Sequence, residues 1–166
     1  MKFETRMTWD APLSRVIAML TDRRYFERKH ELMAHEAADI TACTLEGDRF
    51  SITTRVMGKP SIKIPALAQK FVKADQSIEI EQTDSWDRAS GKGSIRVVNK
   101  SVSQVSVAAD MQLREIAGGT ENVISWTVDC SLPLIGGKLA AMLADDIRAK
   151  ADKNQQVSRE ILTAHF

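Results

Sequence analysis

The sequence predicts an α+β fold: a curved seven-stranded antiparallel sheet around one long C-terminal helix, with two short helices after the first strand. Three observations carry that expectation. Polar and apolar residues alternate with period two over most of the chain, and such alternation belongs to antiparallel sheets with one wet side. Between Asp10 and Met33 the apolar spacing is helical instead. A last alternating segment ends at Pro133, and Gly136-Gly137 precede a run from Lys138 to the C-terminus without proline or glycine. That pattern describes a sheet, a sharp turn and a terminal helix lying across the sheet.

Each element has its own signal. Phe3, Thr5, Met7 and Trp9 alternate with Lys2, Glu4, Arg6 and Thr8, giving the first strand. Asp10 is the expected cap of the next helix and Pro12 suits its first turn. Leu13, Val16, Ile17 and Leu20 form its apolar stripe. Thr21 or Asp22 restarts the chain as a second helix that buries Tyr25, Phe26, Leu32 and Met33. Ile40 to Leu45 and Arg49 to Met57 flank Glu46-Gly47-Asp48 as a hairpin. Ser77 to Trp86 follows, with Ile78, Ile80, Gln82, Asp84 and Trp86 on one face. Gly91 and Gly93 mark a turn into Ser94 to Asn99. Val105 to Arg114 and Val123 to Leu132 flank a Gly118-Gly119 hairpin signal. The second and fifth strands carry the weakest alternation. The terminal helix is expected from about Gly137 to Ala164, roughly 40 Å long. Its stripe is Leu139, Leu143, Ile147, Ala151, Ser158, Ile161 and Leu162, thinned in the middle by Asn154, Gln155 and Ser158. A helix that covers a cavity would weaken there; a helix on a dry core rarely would.

The 166 residues suggest one domain, able to bury roughly 70% of its unfolded surface. Lys plus Arg number 23 against 22 for Asp plus Glu, so no basic footprint for nucleic acid is present. No apolar run approaches the ~20 residues that span a bilayer, and the N-terminus has no apolar signal-peptide core. Cys43 and Cys130 read as reduced, buried small hydrophobes. A cytoplasmic protein is the expectation.

The order of strand, two short helices, six strands and a long helix resembles the helix-grip fold. That superfamily, also called SRPBCC or START-like, includes lipid-binding START domains, birch-pollen-allergen-like proteins and polyketide cyclases. Cys130-Ser131-Leu132-Pro133-Leu134-Ile135-Gly136-Gly137-Lys138-Leu139 resembles the strand-to-helix junction of an uncharacterised bacterial branch of it. Ile64 to Val72 and Glu81 to Trp86 are similar to the same branch. The branch usually carries an acid where Ala140 stands, so no acidic role transfers to that position. The resemblance implies a pocket between sheet and helix for lipids, sterols, polyketides or other apolar molecules, and no single chemistry.

On the inner faces the expected ligand-binding residues are Thr5, Met7, Phe50, Ile52, Thr54, Ile80, Gln82, Trp86, Met111 and Trp126, with Leu143, Ile147 and Asn154 from the helix. Apolar walls with a few polar groups are what small-molecule sites need. Unpaired buried polar groups cost ~1–3 kcal/mol, so internal hydrogen bonds are the competing explanation for the polar members. Asp84 is the weak candidate for an acid or base, since a carboxyl against an apolar wall has a raised pKa. The connection from Gly58 to Gln76 carries Lys59, Lys63, Lys70 and Lys73 among Ile62, Ile64, Leu67, Phe71 and Val72, with Pro65 at the start of a short helix. It reads as a packed loop, a lid, or a segment for transient contact with an anionic membrane surface. His30 and His35 are five apart and diverge on a helix, so they read as surface residues rather than metal ligands. No phosphate loop, nucleophile elbow or metal-spaced cysteine pair occurs, and no cofactor is expected. The leading function is a carrier or sensor for a small apolar, lipid-like or polycyclic ligand. A cyclase or dehydratase, and an interaction module whose pocket is filled by side chains, are the alternatives.

Overall fold

The computed structural model describes residues 1–33, 35, 37–72 and 76–166. Within them the chain forms β1 (Lys2–Trp9), α1 (Leu13–Leu20), α2 (Arg23–Leu32), β2 (Ala37–Glu46) and β3 (Arg49–Gly58). These are followed by β4 (Ile78–Asp87), β5 (Lys92–Asn99), β6 (Val105–Ile116), β7 (Gly119–Cys130) and α3 (Gly136–His165). The strands make one antiparallel sheet in the order β1-β7-β6-β5-β4-β3-β2. The predicted fold class is therefore the observed one.

Local chemistry sets the boundaries. Asp22 caps α2, its carboxylate accepting from the Arg24 amide at 2.8 Å. The cap expected of Asp10 does not form: α1 begins after Pro12, with no side-chain cap bond, and Asp10 stays exposed. Proline donates no amide hydrogen and fixes its own φ, so the helix starts without one. Gly47 takes φ +59° at the first position of a two-residue hairpin loop between Glu46 and Arg49.

The curved sheet holds two unequal cores on its concave side. The larger joins Trp9, Val16, Met19, Phe26, Ile52 and Ile161, so α1, α2 and the C-terminal half of α3 lie on β1, β3 and their neighbours. The smaller joins Ile64, Ala68, Leu132, Ile135 and Leu139, where the 58–72 connection meets the start of α3. That connection holds only a 3-10 turn, Ala66–Ala68, behind Pro65. Lys73, read above as part of it, lies outside the described residues.

Between the two cores α3 stands away from the sheet. Leu139, Ala140 and Ala144 are buried at one end and Val157, Ser158, Ile161 and Leu162 at the other, while Leu143, Ile147, Ala151 and Asn154 are only half-buried. The thin middle of the stripe has two causes. Asn154 and Ile147 face a hollow, as expected. Gln155 and Ser158 do something different: Gln155 pairs with both backbone groups of Thr8 (2.6 and 2.9 Å) on the edge strand β1. Ser158, fully buried, accepts from Trp9 Nε1 at 3.1 Å and Tyr25 Oη at 3.3 Å. These polar positions clamp the helix to the sheet.

Candidate functional site

The hollow has two adjoining recesses that share Val56, Gln82, Trp126 and Ile147 at their boundary. The inner one, about 260 Å³, carries more of the polar groups, while His35, Ser61, Gln82, Asn99, Asp146 and Lys150 line the outer one. Met7, Trp86, Ile95, Met111, Ile124, Tyr25 and Phe26 form its apolar walls, and Thr54, Gln82, Asp84, Asn122 and Asn154 its polar points. The outer one, about 340 Å³, is walled by Ile62, Ile64, Val72, Ile78, Ile80, Val97, Val107, Leu139 and Leu143. The 58–72 connection therefore forms one side of it.

Of the residues expected at the site, Thr5, Met7, Thr54, Trp86, Met111 and Asn154 line the inner recess. Ile80 and Leu143 line the outer, and Gln82, Trp126 and Ile147 line both. Phe50 and Ile52 line neither. They are on the predicted face, but α2 covers them: Phe26 stacks on Phe50 at 6.0 Å and Ile52 is fully buried. Trp126 is held in place by donating to Thr5 Oγ1 at 2.9 Å and by stacking on Phe3, over which Arg148 of α3 rests at 4.2 Å. Thr5 thus spends its hydroxyl on orienting a wall.

Asp84 lies deep in the inner recess, 8% exposed. Gln82 Nε2 donates to its Oδ2 at 2.8 Å. Burial pushes the carboxyl pKa up, against smaller downward pulls from Lys29 and from the Gln82 bond. The folded state then binds a proton more readily than the unfolded one. Its stability contribution is full in acid and is lost as pH rises through the folded pKa, above which a charge is buried. Asp84→Asn removes that cost and keeps the shape. It should be more stable than the parent at pH 8, with the gain vanishing as pH approaches the ordinary aspartate range. Urea unfolding across pH 4–8 reads this directly, and a pH-independent difference would contradict it.

His30 and His35 depart from the expectation. Helical divergence does not apply to them, because α2 ends at Leu32 and the chain turns back. Their Nδ1 atoms come within 2.8 Å, and both rings line the inner recess. His30 is half-buried, with a buried Nε2 that has no partner among the described residues. No group of three or more metal-ligating side chains exists among the described residues, so the pair has no third ligand there. Burial first, then the charges of His35 and Lys29, lower the His30 pKa to about 4. The unfolded state binds the extra proton first, so stability falls as pH drops from about 6.5 towards 4. The full linkage is ~3 kcal/mol, and the half-exposed ring reduces it to roughly 1–2 kcal/mol. His30→Gln should flatten that acid limb by this amount in denaturant titrations at pH 7 and pH 4.

Several lining residues lie outside the expected set, Asn122, Tyr25 and Lys29 among them. Asn122, 2% exposed, faces Met7 across the β1–β7 pair, its Oδ1 without a partner among the described residues and its Nδ2 donating to Met111 Sδ at 3.7 Å. Alternation continued back from Ile124 would have found it. Tyr25 and Lys29 reach the recess from α2, and only the docking of that helix reveals them.

Solved structures share this architecture at low identity. A protein of Thermus thermophilus matches with TM-score 0.65 and 14% identity, covering 99% of this chain and 98% of that one. Ara h 8.0201 matches at 0.64 and 12%, covering 99% of each chain. The Zhui aromatase/cyclase from Streptomyces sp. R1128 matches at 0.62 and 10%, covering 98% and 93%. No curated protein matches the chain. No helix among the described residues is long and apolar enough to cross a membrane. The sheet gripping α3 is the helix-grip fold that these structures share. Within that fold, a family model matches residues 4–162, and the chain belongs to the family described as protein of unknown function, DUF2505.

Proposed function

We propose that the protein is a cytoplasmic carrier or sensor that holds a small apolar, lipid-like or polycyclic molecule between the sheet and α3. The observation that carries this reading is the half-buried middle of α3 over two joined recesses whose walls are mainly apolar. Trp86 and Trp126 border the space without filling it, which weighs against an interaction module with a plugged pocket. Removing a ligand's apolar surface from water would contribute about 25 cal/mol per Å². Native mass spectrometry of the purified protein, with Trp fluorescence titrations against lipids and polycyclic compounds, tests the reading. A protein that is always empty and shows no spectral response would sink it.

The raised pKa of buried Asp84 favours one second reading, a cyclase or dehydratase acting on a polyketide-like substrate. One structural neighbour carries the name aromatase/cyclase. Asp84→Asn separates the two readings: the enzyme loses turnover and keeps binding.

The outer recess also supports transient contact with an anionic membrane surface. Leu134 is fully exposed at φ +66°, a backbone conformation that a leucine adopts at a cost. Leu67 and Phe71 are exposed on the adjoining 58–72 connection. Lys59, Lys63 and Lys70 on that connection and Lys138 in α3 are exposed, and neither 58–72 nor 131–144 contains an acid. Salt-sensitive flotation with phosphatidylserine vesicles, lost in Leu134→Ser, is the expected result; absence of any flotation would remove this contact.

A further inference from the structure

We propose that Asp84 recognises a neutral hydroxyl group carried by an otherwise apolar ligand. This deepens the carrier reading and rests on it. Asp84 Oδ2 is taken by Gln82, Oδ1 makes no hydrogen bond among the described residues, and the residue lines the inner recess. No cation lies within ion-pair distance of the carboxyl among the described residues.

The surroundings favour a ligand that donates. Thr54, 3% exposed, stands opposite Gln82 in the β3–β4 register and lines the same recess, and its hydroxyl has no partner among the described residues. Asn122 Oδ1 is a third acceptor without a donor. A ligand hydroxyl at this end would donate to Asp84 and accept from Thr54. Its apolar body would extend past Gln82 and Ile147 into the outer recess. An ammonium group fits less well. Lys29 and Lys150 line the inner recess as well, so the approach to Asp84 is already positive. A ligand acid would meet Asp84 acceptor to acceptor.

The matched probes are naphthalene, 2-naphthol and 2-naphthylmethylammonium, with affinities measured by calorimetry and by quenching of Trp fluorescence. 2-Naphthol should bind the parent protein at least ~tenfold more tightly than naphthalene, as expected for a hydrogen bond to a strong acceptor in a dry site. The ammonium should bind more weakly than the naphthol. Asp84→Val should erase the naphthol advantage over naphthalene. If Asp84→Val also loses naphthalene, its fold has changed and Asp84→Asn decides. An amide oxygen accepts less strongly, so the advantage should shrink severalfold; an undiminished advantage overturns the proposal. Equal binding of naphthalene and naphthol by the parent overturns it while the carrier reading stands. Preference for the ammonium overturns the neutral-hydroxyl assignment. Binding of none of the three probes removes this proposal, whereas the carrier reading falls only if the wider panel of lipids and polycyclic compounds also fails.

Discussion

Gly136→Ala should destabilise the protein by roughly 3 kcal/mol or more, a fall of about 10 °C in Tm for a chain of this size. A Cβ at Gly136 would sit 2.1 Å from the Cys130 carbonyl oxygen. That oxygen ends β7 and belongs to the backbone, so no rotamer change relieves the contact. The first turn of α3 would have to lift, taking Leu139 out of the smaller core it shares with Ile64 and Leu132. Gly137 is the internal control. A Cβ there meets nothing within 4 Å, and alanine suits a helix better than glycine by up to ~1 kcal/mol. Gly137→Ala should therefore be neutral or slightly stabilising. Equal effects of the two substitutions in thermal unfolding would show that helix propensity, and not the close approach to Cys130, governs this junction.

The sequence reading located α3 and most strand faces because each is a long run of one period. It failed where a local device breaks the period. In β2 the register shifts between Ile40 and Ala42, so Ile40 and Cys43 fall on one face although they are three apart. Gly93 read as a turn, yet it is inside β5. It pairs with Trp86, whose ring lies where a Cβ would be, 2.6 Å away. The bare backbone makes room for the indole, and glycine's usual meaning misleads. At the site, period-two logic found the polar points on β3 and β4, and the start of β7 was set too late to include Asn122. The cover that α2 puts on Phe50 and Ile52, and the return of His35 onto His30, depend on how helices dock and end. Side-chain period carries no record of either. Gln155 and Ser158 are the instructive middle case. Their place in an apolar stripe was visible as an anomaly, but the edge strand they bind is 147 and 149 residues away in sequence.

Ile147→Trp should lower affinity for any ligand of the hollow by about a hundredfold or more while leaving the melting temperature equal or higher. Ile147 is half-buried and lines both recesses, beside Gln82 and Trp126. An indole at that point has empty space to enter, so it displaces ligand without straining a packed neighbour. Walls that now lack partner atoms would gain dispersion contacts, which is why stability need not fall. The same substitution in a solid core would overpack it and cost about 1–3 kcal/mol. Thermal melts and ligand titrations on one variant therefore report on the same void from two directions. Lost binding with preserved stability means the space belongs to a guest. Lost stability would mean that the protein's own atoms already need it, and the carrier function would have no place in the molecule.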